Sequence, residues 1–363
     1  MNVAFFGSSL VSSYWNGAAT YYRGLLKALA GLGQHITFYE PDAFDRQQHR
    51  DIADPDWARV VVYPATTDGW RSALEQATRH ADLIVKASGV GVFDQELERA
   101  VADVAGSRPV TAYWDVDAPA TLEAMTSDAA HHLRRAVPNY DLVFTYGGGD
   151  AVVRRYLAFG ARQCVPIYNA LDPQTHHPVA PRSEYACDLN FLGNRLPDRE
   201  ARVEEFFLSP ASLLPEKRFV LGGAGWDTKA VPPNVTRSGH VGSAWHNAFF
   251  CSALATLNIN RDSMARFGFS PPTRIFEAAG AGACIITDAW DGIDQFLEPD
   301  QEILTATDGE SVADILERLT PERARALGRT ARDRILAEHT YAHRARRVMD
   351  VLDLTVAGRE AAE

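Results

Sequence analysis

The stretch Arg261–Glu302, RDSMARFGFSPPTRIFEAAGAGACIITDAWDGIDQFLEPDQE, decides how the 363-residue chain is read. Its order is loop, helix, strand, loop, short helix. Ser270 is a good N-cap and Pro271 fits the first helical position, so the helix is expected to run TRIFEAAGAGA until the β-rich Cys284-Ile285-Ile286-Thr287. Arg274 and Glu277 are three apart and share one face of the first two turns. Ala278 to Gly282 leave almost no side-chain bulk, although glycine inside a helix costs up to ~1 kcal/mol against alanine. Such a run suits a close approach to the backbone.

A helix N-terminus is a natural anion site, with free N–H groups and a partial positive charge. Pro271 and Pro272 remove two donors and leave those of Thr273 and Arg274. The Arg274 guanidinium suits bidentate contact with phosphate, and Glu277, an acceptor-only group, suits a vicinal diol such as a ribose. A diphosphate at the helix start with a ribose beside Glu277 is one reading. An i,i+3 ion pair on a helix packed tightly against a sheet is the other.

Outward from this stretch the same rhythm continues. Before it, strands are expected at Val3–Phe6, HITFYE, VVVYPA, DLIVKAS, VTAYWDVD, DLVFTY and CVPIY, with helices near Asn16–Gly33, Trp70–His80, Asp94–Ala105, Pro119–Ala136 and Asp150–Phe159. Asn16 is read as the cap of the first helix and Gly33 as its stop. Strands alternating with helices imply a parallel sheet covered on both faces. The turn-rich Asn169–Tyr185 breaks the rhythm and reads as a linker. A second α/β series follows: DLNFLGN, a helix from Pro197 to Leu208, RFVLGG, SGHVG, ATLNINR, the opening helix, ACIITDA and EILTAT, then charged helices from Gly309 to about Leu354.

The pattern S-P-P-T-R-I-F-E-A-A-G-A-G-A-C-I-I-T-D, followed by D-Q-F-L-E-P-D-Q-E-I-L, resembles the C-terminal half of CgeB-like glycosyltransferases. The resemblance is specific over Leu189–Glu302. It implies a GT-B fold: α/β, with two Rossmann-like domains whose parallel sheets face across a cleft. The expected division is 1–170 on the acceptor side and 171–340 on the nucleotide-sugar side, with a last helix, 341–355, returning to the first domain. It also implies that Glu277 holds the donor ribose. Related retaining enzymes often carry a second glutamate eight residues earlier; that position is Phe269, so the E-x7-E pair is absent.

Loops after strands are where open parallel sheets bind ligands. On the donor side this singles out Gly193-Asn194-Arg195, the GGAGW loop with Gly223, His240, and Asn258 through Arg261. Arg195 would meet the donor diphosphate, as the resemblance implies, or would simply lie near a helix start. The GGAGW backbone would read the base, and His240 would pack beside it or remain a surface residue. On the acceptor side, Ser8, Ser9, Asn16 and Gly17 stand where related transferases carry a glycine-rich loop. They lack G-x-G-x-x-G, which argues against a nicotinamide dinucleotide. Asp115 and Asp117 form a D-x-D at a strand end. They are candidates to position or deprotonate an acceptor hydroxyl, with Arg274 stabilising the leaving group. A metal role and a plain helix cap before Pro119 are the alternatives for the two aspartates.

His131-His132 and His176-His177 lack zinc-site spacing and carboxylate companions, so no metal site and no cofactor beyond the donor are expected. A net charge of −11, with 46% hydrophobic and 23% charged residues, fits a globular chain and argues against general nucleic-acid binding. Cys164, Cys187, Cys251 and Cys284 lie far apart among apolar neighbours and read as reduced thiols in a cytoplasmic protein. No apolar run reaches ~20 residues, so no transmembrane segment is expected. Arg323, Arg325, Arg329, Arg332, Arg334, Arg344, Arg346 and Arg347 would form a solvated helix face or a peripheral membrane contact. The expected activity is metal-independent transfer of a sugar from a nucleoside diphosphate donor to an acceptor. An epimerase or hydrolase on the same fold, and a non-catalytic sugar-nucleotide-binding protein, are the competing readings.

Overall fold

The computed structural model describes residues 1–14, 16–104, 109–261, 264–265 and 268–360. It divides into two compact units: Met1–Asn169 together with the chain from Tyr341 onward, and Ala170–Thr340.

The first unit is built on seven parallel strands: β1 (Asn2–Phe6), β2 (His35–Asp42), β3 (Ala58–Pro64), β4 (Leu83–Ala87), β5 (Val110–Asp115), β6 (Leu142–Thr145) and β7 (Cys164–Pro166). Their order is β3-β2-β1-β4-β5-β6-β7. The inner strands are apolar along almost their whole length because helices cover both faces. Phe5 stacks on Phe38 at 5.5 Å, and Trp114 packs on Phe144 at 4.6 Å. The indole of Trp114 donates to Tyr21 Oη (3.1 Å), which donates in turn to Ile167 O (2.7 Å). The helix Tyr341–Glu360 docks in this unit on the helix Ala19–Gly31, where a Cβ on Gly24 would stand 2.2 Å from the Tyr341 ring.

The second unit repeats the plan with six parallel strands: β8 (Cys187–Leu192), β9 (Phe219–Gly222), β10 (Val235–Gly239), β11 (Ala253–Asn258), β12 (Ile285–Asp288) and β13 (Leu304–Ala306), in the order β10-β9-β8-β11-β12-β13. Phe191, Phe207, Phe219, Leu257, Ile286 and Leu316 centre its core. In both sheets the strand order reverses once, between β1 and β4 and between β8 and β11. Open α/β sheets bind their ligands at such switch points, outside the carboxyl ends of the strands.

Local signals moved several boundaries. The helix of the opening stretch begins at Thr273, with Pro272 as N-cap, and not at Pro271. The cause is Pro272 itself, because a residue that precedes proline is disfavoured in the α region. Ser270 is buried and its hydroxyl donates back to Gly268 O at 3.0 Å. The first helix starts at Ala19 without a side-chain cap, because the Asn16 amide turns inward to Ser9 O (2.8 Å) and Ser12 O (2.9 Å). Gly33 does end that segment, at φ 82°. The expected helix over 119–136 is two helices, Ala118–Ser127 and Leu133–Ala136. Asp128 breaks it by accepting from Ala130 N–H at 2.8 Å, a local turn that competes with the helix. The expected end of the helix from Asp94, at Ala105, lies outside the described residues. No helix among the described residues is long and apolar enough to cross a membrane.

Candidate functional site

Several polar side chains converge at the carboxyl end of the second sheet. Arg274, in the first turn of Thr273–Gly280, reaches over the sheet and straddles the switch point. Its Nε donates to Leu192 O, at the end of β8, at 2.7 Å, and its Nη1 donates to Asn258 Oδ1, at the end of β11, at 2.8 Å. The guanidinium lies over the Phe191 ring, 5.0 Å from the centroid. Burial, together with the neighbouring Arg199 cation, pulls Arg274 down to about 9, against the opposing charges of Glu277 and Asp288.

Arg199 approaches from the helix Pro197–Val203. A Cβ placed on Gly193 would stand 3.1 Å from Arg199 Nη1 and 3.1 Å from Arg274 Nη2. Two guanidinium ends therefore converge over a strand-end glycine. The Nε of Arg199 is buried without a hydrogen-bond partner, and burial lowers its pKa. Like charges held this close favour an anion between them.

The strand-end loops are laced together around this point. Gly193 N–H donates to Gly222 O (2.9 Å), Trp226 Nε1 donates to Gly193 O (2.8 Å), and Ala224 N–H donates to Asn194 Oδ1 (3.0 Å). Gly223 sits at φ 124°, and a Cβ there would be 2.2 Å from Gly193 O, so only glycine lets the two loops meet. Asn260, two residues beyond β11, is 0% exposed, and neither its Oδ1 nor its Nδ2 has a partner. Phe269, at the position of the missing glutamate, is held at φ 47°, a strained conformation for a bulky side chain.

Other expected donor residues stand differently. Arg195 forms a bidentate pair with Glu200 (2.7 and 2.8 Å) and a bond to Thr228 Oγ1 (3.2 Å). Its fork is therefore engaged within the loop, and the arginine end nearest Gly193 on the helix Pro197–Val203 is that of Arg199. Glu200 is drawn down to about 2, first by Arg195 and then by Lys229. Arg261 pairs with Asp198. His240 is exposed just after β10. Glu277 is half-buried one turn beyond Arg274, beside two histidines that spacing alone did not connect to it. Burial lowers the pKa of one of them, His246, with Glu277 opposing the shift.

In the first unit Asp115 is 0% exposed, and its carboxylate accepts from Ser88 Oγ (2.9 Å), Asp117 N (3.0 Å), Thr121 Oγ1 (3.1 Å) and the Tyr156 hydroxyl. Burial raises its pKa despite these bonds. Asp115, expected to meet an acceptor hydroxyl, is thus engaged from within at the end of β5. Asp117 is half-buried at the N-cap position of Ala118–Ser127, and its side chain makes no capping bond. Ser8, Ser9 and Asn16 are buried as well. Ser8 Oγ donates to Asn16 Oδ1 (2.8 Å) and Ser9 Oγ to Glu40 Oε1 (3.0 Å), so their polar atoms build the loop after β1. Gly17 is exposed. Sequence reasoning missed Arg46, which donates from Nη1 to Ser8 O (3.1 Å) and Val90 O (3.2 Å), at the loops flanking the first sheet's switch point.

Residues 199–350 match the family of glycosyl transferase-like proteins. No curated protein matches the sequence. Among solved structures, the chain is similar to sucrose-phosphate synthase from Thermosynechococcus elongatus, at 14% identity over 99% of this chain and 100% of that chain, with a TM-score of 0.74. It is similar to Anabaena HepE in complex with UDP and glucose, at 13% identity over 97% and 99%, with a TM-score of 0.66. A glycosyltransferase from Rickettsia africae matches at 10% identity over 98% of both chains, with a TM-score of 0.67. The fold is that of the GT-B glycosyltransferases, with two Rossmann-like domains. The matched segment carries Arg199, Arg274 and Glu277.

Proposed function

We propose that the chain is a CgeB-like glycosyltransferase that moves a sugar from a nucleoside diphosphate donor to an acceptor hydroxyl, without a divalent ion at the diphosphate. The observation that carries this reading is the convergence of Arg199 and Arg274 over Gly193 at the β8/β11 switch point. Sugar transfer needs a stabilised diphosphate leaving group. Two guanidinium groups, both lowered in pKa by burial, supply that stabilisation, and the first N–H groups of Thr273–Gly280 add to it. Glu277 lies one turn further along the same helix and accepts the ribose hydroxyls. HepE, a structural neighbour, binds UDP and glucose, which supports a nucleotide-sugar donor.

Asp117 in the first unit is the candidate to orient the acceptor hydroxyl, because its neighbour Asp115 is fully engaged. The four cysteines are unpaired, which supports a cytoplasmic setting. The reading is tested by following release of nucleoside diphosphate from UDP-, GDP-, ADP- and dTDP-sugars in excess EDTA. Turnover with at least one donor, lost in Arg274→Ala, is the expected outcome. Turnover that EDTA abolishes and Mn²⁺ or Mg²⁺ restores would contradict it.

A further inference from the structure

Three side chains far apart in sequence meet beside the proposed nucleotide site. His176 lies in the loop that opens the second unit, His246 is the first residue of the helix His246–Cys251, and Glu277 lies on Thr273–Gly280. One ligand-type atom from each lies within 4.8 Å of the other two. We propose that His176, His246 and Glu277 form a binding site for a divalent transition-metal ion of the zinc type.

The hydrogen bonds around the imidazoles set which nitrogen is free. Thr175 Oγ1 has one proton and donates it to Asp172 O at 3.1 Å. It stands 3.0 Å from His176 Nδ1, and with its proton on Asp172 O it accepts from Nδ1–H, the tautomer that leaves the lone pair on Nε2. His176 is only 9% exposed, and its Nε2 is buried without a partner. His246 Nε2 stands 3.2 Å from Val241 O. A carbonyl only accepts, so this nitrogen carries the proton and Nδ1 keeps the lone pair. Each ring thus donates its N–H to a backbone or hydroxyl oxygen and leaves one bare nitrogen, the usual arrangement behind metal-ligating histidines.

Two imidazoles and one carboxylate suit zinc and its first-row neighbours, whereas Mg²⁺ and Ca²⁺ prefer all-oxygen sites. Ligand bonds of about 2.0–2.2 Å place tetrahedral ligand atoms about 3.3–3.6 Å apart, so a span of at most 4.8 Å closes through small rotamer adjustments. Three protein ligands leave one position for water. The ion would take Glu277 from the ribose, so it antagonises donor binding and has no part in the transfer chemistry.

The test uses the full chain, stripped of metal, titrated with Zn²⁺ against a chromophoric chelator and with Co²⁺ followed by its visible absorption. One equivalent should bind, and Zn²⁺ should displace Co²⁺. His176→Ala and His246→Ala should each weaken binding at least about 10-fold, while His177→Ala should not. Thr175→Val keeps all three ligands and removes the hydroxyl that bonds His176 Nδ1 and Asp172 O; it should weaken binding about 10-fold, which guards against misfolding of the histidine variants. Absence of a bound equivalent, or affinity unchanged in the Thr175 and His246 variants, would overturn the proposal. Nucleoside diphosphate affinity measured in EDTA separates the two readings. A chain that binds nucleotide but no zinc sinks this inference alone, and one that binds zinc but no nucleotide sinks only the transferase reading.

Discussion

Replacing Arg274 with methionine separates what the guanidinium does for the fold from what it does for an anion. In the folded chain burial and Arg199 lower its pKa from 12.5 to about 9. That shift is a penalty on the order of 5 kcal/mol for the charged form, at about 1.4 kcal/mol per unit. The bonds to Leu192 O and Asn258 Oδ1 return about 1.5–3 kcal/mol each. Methionine relieves the burial of the charge but leaves Leu192 O and the buried Asn258 Oδ1 without this donor, so Arg274→Met should destabilise the fold by about 1–4 kcal/mol and still fold. Binding should respond as well. A diphosphate accepts a charge-assisted bond from Nη2, the end that Leu192 O and Asn258 Oδ1 do not engage, and relieves the repulsion with Arg199, so its affinity should fall by about 3 kcal/mol, or about 150-fold. A bare nucleoside carries no anion and should lose at most about threefold. Calorimetry with both ligands, alongside thermal unfolding, makes the comparison. Equal losses for nucleoside and diphosphate would refute the argument, because they would show Arg274 acting only through structure.

Other perturbations probe separate parts of the account. Glu277→Ala should leave the fold intact and weaken nucleoside diphosphate binding by about 1.5–3 kcal/mol in calorimetry, the range for hydrogen bonds to a charged group. Asp117→Asn should slow single-turnover transfer while leaving donor affinity nearly unchanged, since it belongs to the first unit. Gly328→Ala places a Cβ 2.1 Å from Gly282 O, so despite better helix propensity it should destabilise by about 1–3 kcal/mol, seen as a Tm loss of about 2–4 °C per kcal/mol. The pKa of Glu200 is depressed to about 2, so its pairing stabilises the chain above the ordinary glutamate range and is lost as pH falls toward 2. Thermal unfolding between pH 2 and 5 should therefore be less pH-dependent in Glu200→Gln than in the wild type.

The strands and the α/β class were legible because buried parallel strands are apolar runs bounded by turn residues. The sheet orders fit the two-domain expectation for the same reason. Local signals failed where two of them competed. Pro271 reads as a helix start until Pro272 beside it excludes the α region, and Asn16 reads as a cap until its amide finds Ser9 O and Ser12 O. Arg274 and Glu277 were visible as a pair on one helix face. The partners of Arg274 were not, since Leu192 lies 82 residues away and becomes a neighbour only once β8 and β11 are adjacent. Arg195 drew attention by following a strand-end glycine, but Glu200, one turn into the next helix, holds its fork and leaves Arg199 over Gly193. A search for i,i+4 and i,i+5 acidic partners would have flagged this. Asp115 drew attention as half of a D-x-D at a strand end; of its four donors Asp117 N and Thr121 are local, but Ser88 and Tyr156 come from segments that no spacing links to it.

The central claim is that a nucleoside diphosphate binds at the β8/β11 crevice between Arg199 and Arg274. Thermal unfolding of the wild type and of Arg199→Ala/Arg274→Met, each with saturating UDP, GDP, ADP or dTDP in EDTA, tests it most directly, because a ligand that binds only the folded chain raises its apparent stability. The account predicts that at least one diphosphate raises the wild-type Tm, and that this rise disappears in the double variant. A wild-type Tm unmoved by every diphosphate, or a rise that survives in the double variant, would contradict it.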